Sequence, residues 1–231
     1  TLSAGTVDLT PLSPRKIPVV DTEDTQEQFD IQCINEFLGL LISMSSPTNQ
    51  YQHMESSRVF ALSLINTAVE VAGNEIPQHP SLMALLADPV SKDVLQIISS
   101  TDSLALLLEA LKLFCTMAVV LNNNLKSQIE LTFNLIFKSI LPNKSAIDKN
   151  IKGNATAISS RSPASKELIV ESLSILWTRS PQFFAQLFVE YDCDFEKSDL
   201  ANTFVDFLCE LALPESAITT TDNVPPICLE G

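Results

Sequence analysis

Apolar positions recur along this chain at the three- and four-residue spacing of helix faces, and no stretch alternates as a strand would. Ile34, Phe37, Leu38, Leu41 and Ile42 predict a first helix, stopped by Ser45, Ser46 and Pro47. A second is expected from about Glu55 to Ala72, striped by Ala61, Leu64, Ile65, Ala68, Val69 and Ala72, with Gly73 as its C-terminal cap. Two short helices, Pro80 to Ala87 and Val90 to Ser99, are expected on either side of Asp88-Pro89, since the residue before a proline disfavours helix. Residues 102–121 are apolar nearly all round, which predicts a helix covered on several sides, capped by Asp102 or Ser103 and closed by the turn Asn122 to Asn124. The next helix turns Ile129, Phe133, Ile136, Phe137 and Ile140 inward.

Residues 142–163 break the pattern: they are polar and basic, with Gly153 and Pro163 and no apolar period. Helices resume at Ala164, with Ile169, Leu173, Leu176 and Trp177 in register. Pro181 opens another, striped by Phe184, Leu187, Phe188 and Tyr191. A further helix carries Leu200, Phe204, Phe207, Leu208 and Leu211 and ends at Pro214. Residues 225–231 read as a helix start that the chain end truncates. Residues 1–25, with Pro11, Pro14 and Pro18, read as a flexible linker, and 26–231 as the helical domain. The fold class is all-α. Short antiparallel helices joined by short turns suggest an armadillo/HEAT-like α-solenoid, with an irregular bundle as the alternative, since no sequence repeat supports the stack.

Composition narrows the function. Only 5 glycines among 231 residues fit helices with few sharp turns. The net charge of -14 argues against binding nucleic acid, which needs cations over phosphates. Five dispersed cysteines without a Cys-x-x-Cys pair imply neither disulfides nor zinc, and point to a reducing compartment. The sequons at Asn143 and Asn154 are then not expected to be used. Leu104 to Leu121 approaches the length of a membrane span, yet Glu109 and Lys112 interrupt it, so a core helix is expected. The start at Thr-Leu-Ser suggests a piece of a longer chain.

The densest chemistry lies at Tyr191, Asp192, Cys193 and Asp194. Two acids invite a catalytic reading, but no partner with general-base or metal-ligand spacing accompanies them. The structural reading packs Tyr191 on the preceding Phe stripe, uses Asp192 or Asp194 to accept from free N–H groups, caps the next helix with Ser198 or Asp199, and buries Cys193 as a small filler. Lys144, Lys149, Lys152, Arg161 and Lys166 form the one basic stretch, a solvated loop or an anionic-surface contact. Ser159, Ser160 and Ser162 are candidate phosphorylation sites within it. His53 and His79 read as surface or cap residues, and Trp177 as core. No Gly-rich phosphate loop or Ser/His/Asp grouping is present, and no metal or cofactor is expected.

The tetrad Tyr191-Asp-Cys-Asp194 resembles the shared box of the HUS domain, the homology-upstream segment of large Arf guanine-nucleotide exchange factors. That box reads Asn, then Tyr or Phe, then Asp-Cys-Asp; Glu190 departs from its Asn. The tail Asn223-Val-Pro-Pro-Ile-Cys-Leu229 is similar to fungal members of the Golgi brefeldin A-resistance (Gea) branch. The resemblance implies an armadillo-like scaffold without an active site, cytoplasmic and peripheral at Golgi membranes. The expected partner is the N-terminal dimerisation and cyclophilin-binding domain of the same protein. Arf or Rab-type GTPases and the Golgi membrane surface are further candidate partners. A peptide- or coat-binding HEAT-like transport adaptor is the competing reading, and a helical enzyme a distant third.

Overall fold

A computed structural model describes residues 23–48, 53–141, 161–213 and 221–230, and all regular structure among them is helical. The chain divides into two compact units, residues 1–34 and 35–231. Of the first, the described part is the beginning of α1 (Glu23–Ser45). The remainder of α1 opens the second unit and buries Leu38, Leu41 and Ile42, whereas Ile34 and Phe37 of the expected stripe stand exposed.

α2 (Glu55–Ala72) buries Ala61, Leu62, Ile65 and Val69 and leaves Ala68 and Ala72 outside, so its inward stripe is rotated from the expected one. Gly73 does not cap it in the left-handed region; its φ of -55° and ψ of -35° are right-handed. Glycine is needed there for close approach, because a Cβ would collide with the Val120 side chain and the Val69 carbonyl oxygen.

Asp88-Pro89 likewise does not divide two helices. α3 (Pro80–Leu85) runs through a π-helical turn, Leu86–Val90, into α4 (Ser91–Ser100). The wider turn accommodates a proline that has no N–H to give. The Leu86 carbonyl accepts from both the backbone N–H and, at 2.7 Å, the hydroxyl of Ser91.

α5 (Leu104–Val120) is the central helix. Ser103 caps it, its Oγ accepting from Leu106 N at 3.3 Å. Nine of its residues are buried, and it packs on α2, on α4 and on α7 (Pro163–Arg179), which accounts for its all-round apolar sequence. Ser162 caps α7, with Pro163 at its first position. α6 (Lys126–Ile140) buries the five expected residues. It packs on α4 and on α9 (Leu200–Ala212), and α9 in turn meets α10 (Val224–Glu230), which returns to α7. Within residues 35–231 the helices thus form two series, α2–α5–α7–α10 and α4–α6–α9, each member packed on the next.

An aromatic cluster fills the junction of α6, α7, α9 and α8 (Phe183–Leu187). Phe133 sits 4.9 Å from Phe114 and 5.4 Å from Phe204, and Phe204 6.0 Å from Trp177, within the range where ring pairs attract. His79, partly buried, occupies the position before α3 but offers no side-chain cap. Among the described residues no helix is long and apolar enough to cross a membrane.

Candidate functional site

After Leu187 the backbone widens into a second π-helical turn, Phe188–Asp192, closed by Cys193 N donating to Phe188 O at 3.0 Å. Phe183, Leu187 and Tyr191, four residues apart, all point into the core, and Tyr191 is wholly buried. Phe188, expected in that stripe, is exposed, because the inward series starts at Phe183 rather than Phe184. The chain leaves the helix at Cys193, whose thiol is exposed rather than a buried filler.

Asp192 points forward to α9. Its Oδ1 accepts from Ala201 N at 2.8 Å and its Oδ2 from Asn202 N at 3.0 Å. These are first-turn donors that no carbonyl within the helix can serve, and a carboxylate beside them also meets the positive end of the helix dipole. The cap therefore comes from eight residues before the helix begins. Asp199, adjacent to the helix start, makes no side-chain cap bond, and Ser198 turns to α6 instead. Asp194 stays local, its Oδ1 accepting from Glu196 N at 3.0 Å as an Asx turn. The two carboxylates serve separate backbone donors and do not converge as an acid–base pair.

The other half of the turn is tied to the start of α6. Tyr191 Oη donates between Asn122 Oδ1, at 3.2 Å, and Lys126 O, at 3.3 Å. Asn122 Nδ2 in turn donates to Glu190 Oε2 at 2.8 Å, and Lys126 Nζ lies 3.4 Å from the same oxygen. Further on, Glu130 Oε1 accepts from Ser198 N at 3.0 Å and Ser198 Oγ at 2.7 Å, while Lys197 Nζ reaches Ser127 Oγ at 3.1 Å. Burial, then the charges of Glu190 and Glu130, push the Tyr191 phenol far above its usual range, so it remains a donor. An amide in place of Glu190 would still accept from Asn122 but would not pair with the Lys126 ammonium, so the acid makes a contact of its own here. Asn122, Lys126 and Glu130 are not legible as site residues from the sequence, and Ser198, readable as a cap, bonds to Glu130 instead. The only signal is the polar run Asn122 to Asn124, which reads as a turn.

Of the basic stretch, Lys144, Lys149 and Lys152 lie outside the described residues. Lys166 is 3% exposed, so its side chain does not face an external surface, and burial lowers its ammonium pKa. Both terminal nitrogens of Arg161 are buried without a hydrogen-bond partner, and burial lowers its guanidinium pKa against the opposing pull of Asp102. Among the described residues no group of three His, Cys, Asp or Glu side chains could hold a metal ion.

The turn lies inside a recognised family segment. Residues 28–200 match the Mon2/Sec7/BIG1-like HUS domain. The chain belongs to this HUS-domain family. Two relatives from Saccharomyces cerevisiae, ARF guanine-nucleotide exchange factor 2 and ARF guanine-nucleotide exchange factor 1, are 43% and 42% identical over 89% and 90% of the chain. The Caenorhabditis elegans homologue of Golgi-specific brefeldin A-resistance guanine nucleotide exchange factor 1 is 24% identical over 84% of it. The HUS chain spans 14% of the length of each yeast relative and 10% of the nematode one. The matched segment takes in the whole tetrad, together with Asn122, Lys126 and Glu130 to which the turn is tied.

Proposed function

We propose that this HUS domain is a non-catalytic regulatory scaffold within an Arf guanine-nucleotide exchange factor acting in Golgi vesicle traffic. Its packing partner is the N-terminal dimerisation and cyclophilin-binding domain of the same protein, and its helices form an armadillo-like stack. The observation that carries this reading is how the turn uses its side chains. Tyr191 and Asp192 are committed inside the domain, while Phe188, Val189 and the fully exposed Phe195 flank them with apolar surface facing outward. Polar groups spent internally make a rigid support, and exposed large apolar side chains gathered around one turn favour a protein contact. The acids then orient the docking face and do not themselves dock.

The test is binding of the parent's N-terminal domain to the Phe188→Ser/Phe195→Ser variant. Both residues are exposed, so the variant is expected to stay folded and to bind about tenfold more weakly, a loss of about 1.4 kcal/mol. Unchanged affinity would remove the docking face. Nucleotide release from Arf in the presence of this chain alone is expected at the uncatalysed rate, and acceleration would overturn the non-catalytic assignment. Contact with anionic Golgi membrane, if made through Lys144, Lys149 and Lys152, would gain about 1 kcal/mol per cation. Flotation with acidic and neutral liposomes measures it, and equal recovery on both would end that part of the reading.

A further inference from the structure

Away from the turn, two cavities lie along the packing of α5 on α7 within residues 35–231. Towards the ends of both helices, α2 joins them around a cavity of about 340 Å³. Its charges are of both signs, Glu70 with Lys112 and Arg179, so its lining selects no ligand by charge. Towards the starts of both helices lies a second cavity, of about 330 Å³ and different character. Leu104 and Leu108, one turn apart on α5, and Leu168 on α7 make its floor, and the rest of its apolar lining is alanine. Among the described residues that line it, the charged groups are Glu167 and Glu171, both carboxylates.

The two carboxylates stand four residues apart on one face of α7, the spacing at which like charges repel and disfavour a helix. Glu167 is held there: its Oε1 accepts from Asn223 Nδ2, just before α10, at 2.7 Å, and this bond lowers its pKa, so it stays charged. Glu171 lies mid-helix, beyond the first turn where an anion is favoured, and has no ion pair among the described residues. The cations of the flanking sequence do not answer it. Lys112 pairs with Glu109 at 2.7 Å, Lys166 is buried, the terminal nitrogens of Arg161 are buried with Asp102 as their acid, and Arg179 lies two turns further on. Leu104 remains 45% exposed, and Glu171 is exposed as well. The cavity thus presents open apolar surface beneath uncompensated negative charge.

We infer that this second cavity is a docking site for a basic, apolar segment of a partner protein. One aliphatic side chain of the segment covers Leu104, Leu108 and Leu168, and a neighbouring Arg or Lys pairs with Glu171, within a turn of Glu167. Charge complementarity in the lining selects this occupant. A cation placed between two anions one turn apart makes its own pair and also offsets their repulsion, whereas an acidic segment would add to it. Arg suits the site better than Lys, because its forked donors can serve two carboxylate groups at once. The net charge of -14 favours approach of the same class of segment. The same two acids disfavour an anionic lipid surface. The site involves none of the residues of the turn at 188–199, so its failure would leave the scaffold reading standing, and the converse holds.

The experiment is fluorescence anisotropy on the 231-residue chain with a labelled octapeptide in which Leu stands between Arg and Lys. One counterpart replaces both cations by Glu, and another replaces the Leu by Ser. The basic peptide is expected to bind saturably, and more weakly as salt is raised. The Glu peptide is expected not to bind, and the Ser peptide to bind about fivefold more weakly. Glu171→Lys exchanges the repulsion with Glu167 for an attractive pair, so α7 is expected to stay folded, and binding should fall about tenfold or more. Glu171→Gln should fall between Glu171→Lys and the unaltered chain. Asp206→Lys, the same change of charge on the exposed side of α9, should leave the affinity within about twofold. Equal binding of the Glu or the Ser peptide, equal losses from Glu171→Lys and Asp206→Lys, or no saturation at about 1 mM would each overturn the proposal.

Discussion

The turn at 188–199 and the cavity between α2, α5 and α7 are both rich in polar side chains, and they use them in opposite ways. In the turn, Tyr191, Asp192, Asp194, Glu190 and Ser198 each reach a partner within the domain. At the cavity, Asn66 Oδ1 lacks a donor, and Arg179 has no ion pair among the described residues. A motif dense in functional-looking residues can therefore be architecture. Satisfied polar groups fix one conformation, and unsatisfied ones retain an interaction for something else.

The sharpest way to break this contrast is to truncate the centre of the turn. Tyr191→Ala removes a fully buried ring and both its contacts to α6, and should cost about 3–5 kcal/mol in chemical denaturation. A loss under about 1 kcal/mol would mean the turn is not part of the fold's support. Asp192→Ala should cost about 1–2 kcal/mol, since two first-turn donors of α9 lose their acceptor. Asp199→Ala, which removes the acid next to the helix but no cap bond, should be nearly silent. Equal effects would restore the local-cap reading. Gly73→Ala should destabilise by about 1–3 kcal/mol through its clash with Val120, without touching the turn.

A pH-dependent contrast comes next. Burial raises the pKa of Asp93, against the lowering pull of the Ser46 hydroxyl, 3.2 Å away, and of Lys92 and Arg58. The folded chain therefore binds this proton more tightly than the unfolded one, and stability falls as pH rises through the window above the ordinary 3.8. Asp93→Asn is expected to raise the melting temperature at neutral pH, with the gain shrinking as pH falls below that window. A gain that persists in acid would assign the effect to packing. A smaller effect on stability is that of Arg179→Glu, about 0.3–1 kcal/mol, because it trades a cation for an anion in the last turn of α7.

Much of the fold is legible in the sequence because helical periodicity is a local property. Ile129, Phe133, Ile136, Phe137 and Ile140 follow one face, as do Leu200, Phe204, Phe207, Leu208 and Leu211, and burial in both helices follows the same residues. Ser103 as the cap of α5 is readable for the same reason. The misreadings share the opposite cause. Gly73 is dictated by Val120, far along the chain, and no local pattern distinguishes that from a cap. Pro89 reads as a break because the Ser91 hydroxyl bond to Leu86 O cannot be inferred before the wider turn is known. Ser198 and Asp199 are sensible caps by position, but Glu130 holds Ser198 and Asp192 arrives first. The resemblance locates the turn and its family, yet the division of labour inside it depends on Asn122 and Lys126, which periodicity assigns only to a loop and a helix start.

The cap on α9 has a kinetic corollary. A helix whose first-turn donors are served by its own flanking residue can open and close alone; α9 cannot, because Ala201 N and Asn202 N are held from the far side of the 193–199 segment. Their amides should exchange with solvent only when the Phe188–Asp192 turn opens and Tyr191 leaves α6, so α8, that turn and the first turn of α9 are expected to exchange as one cooperative unit.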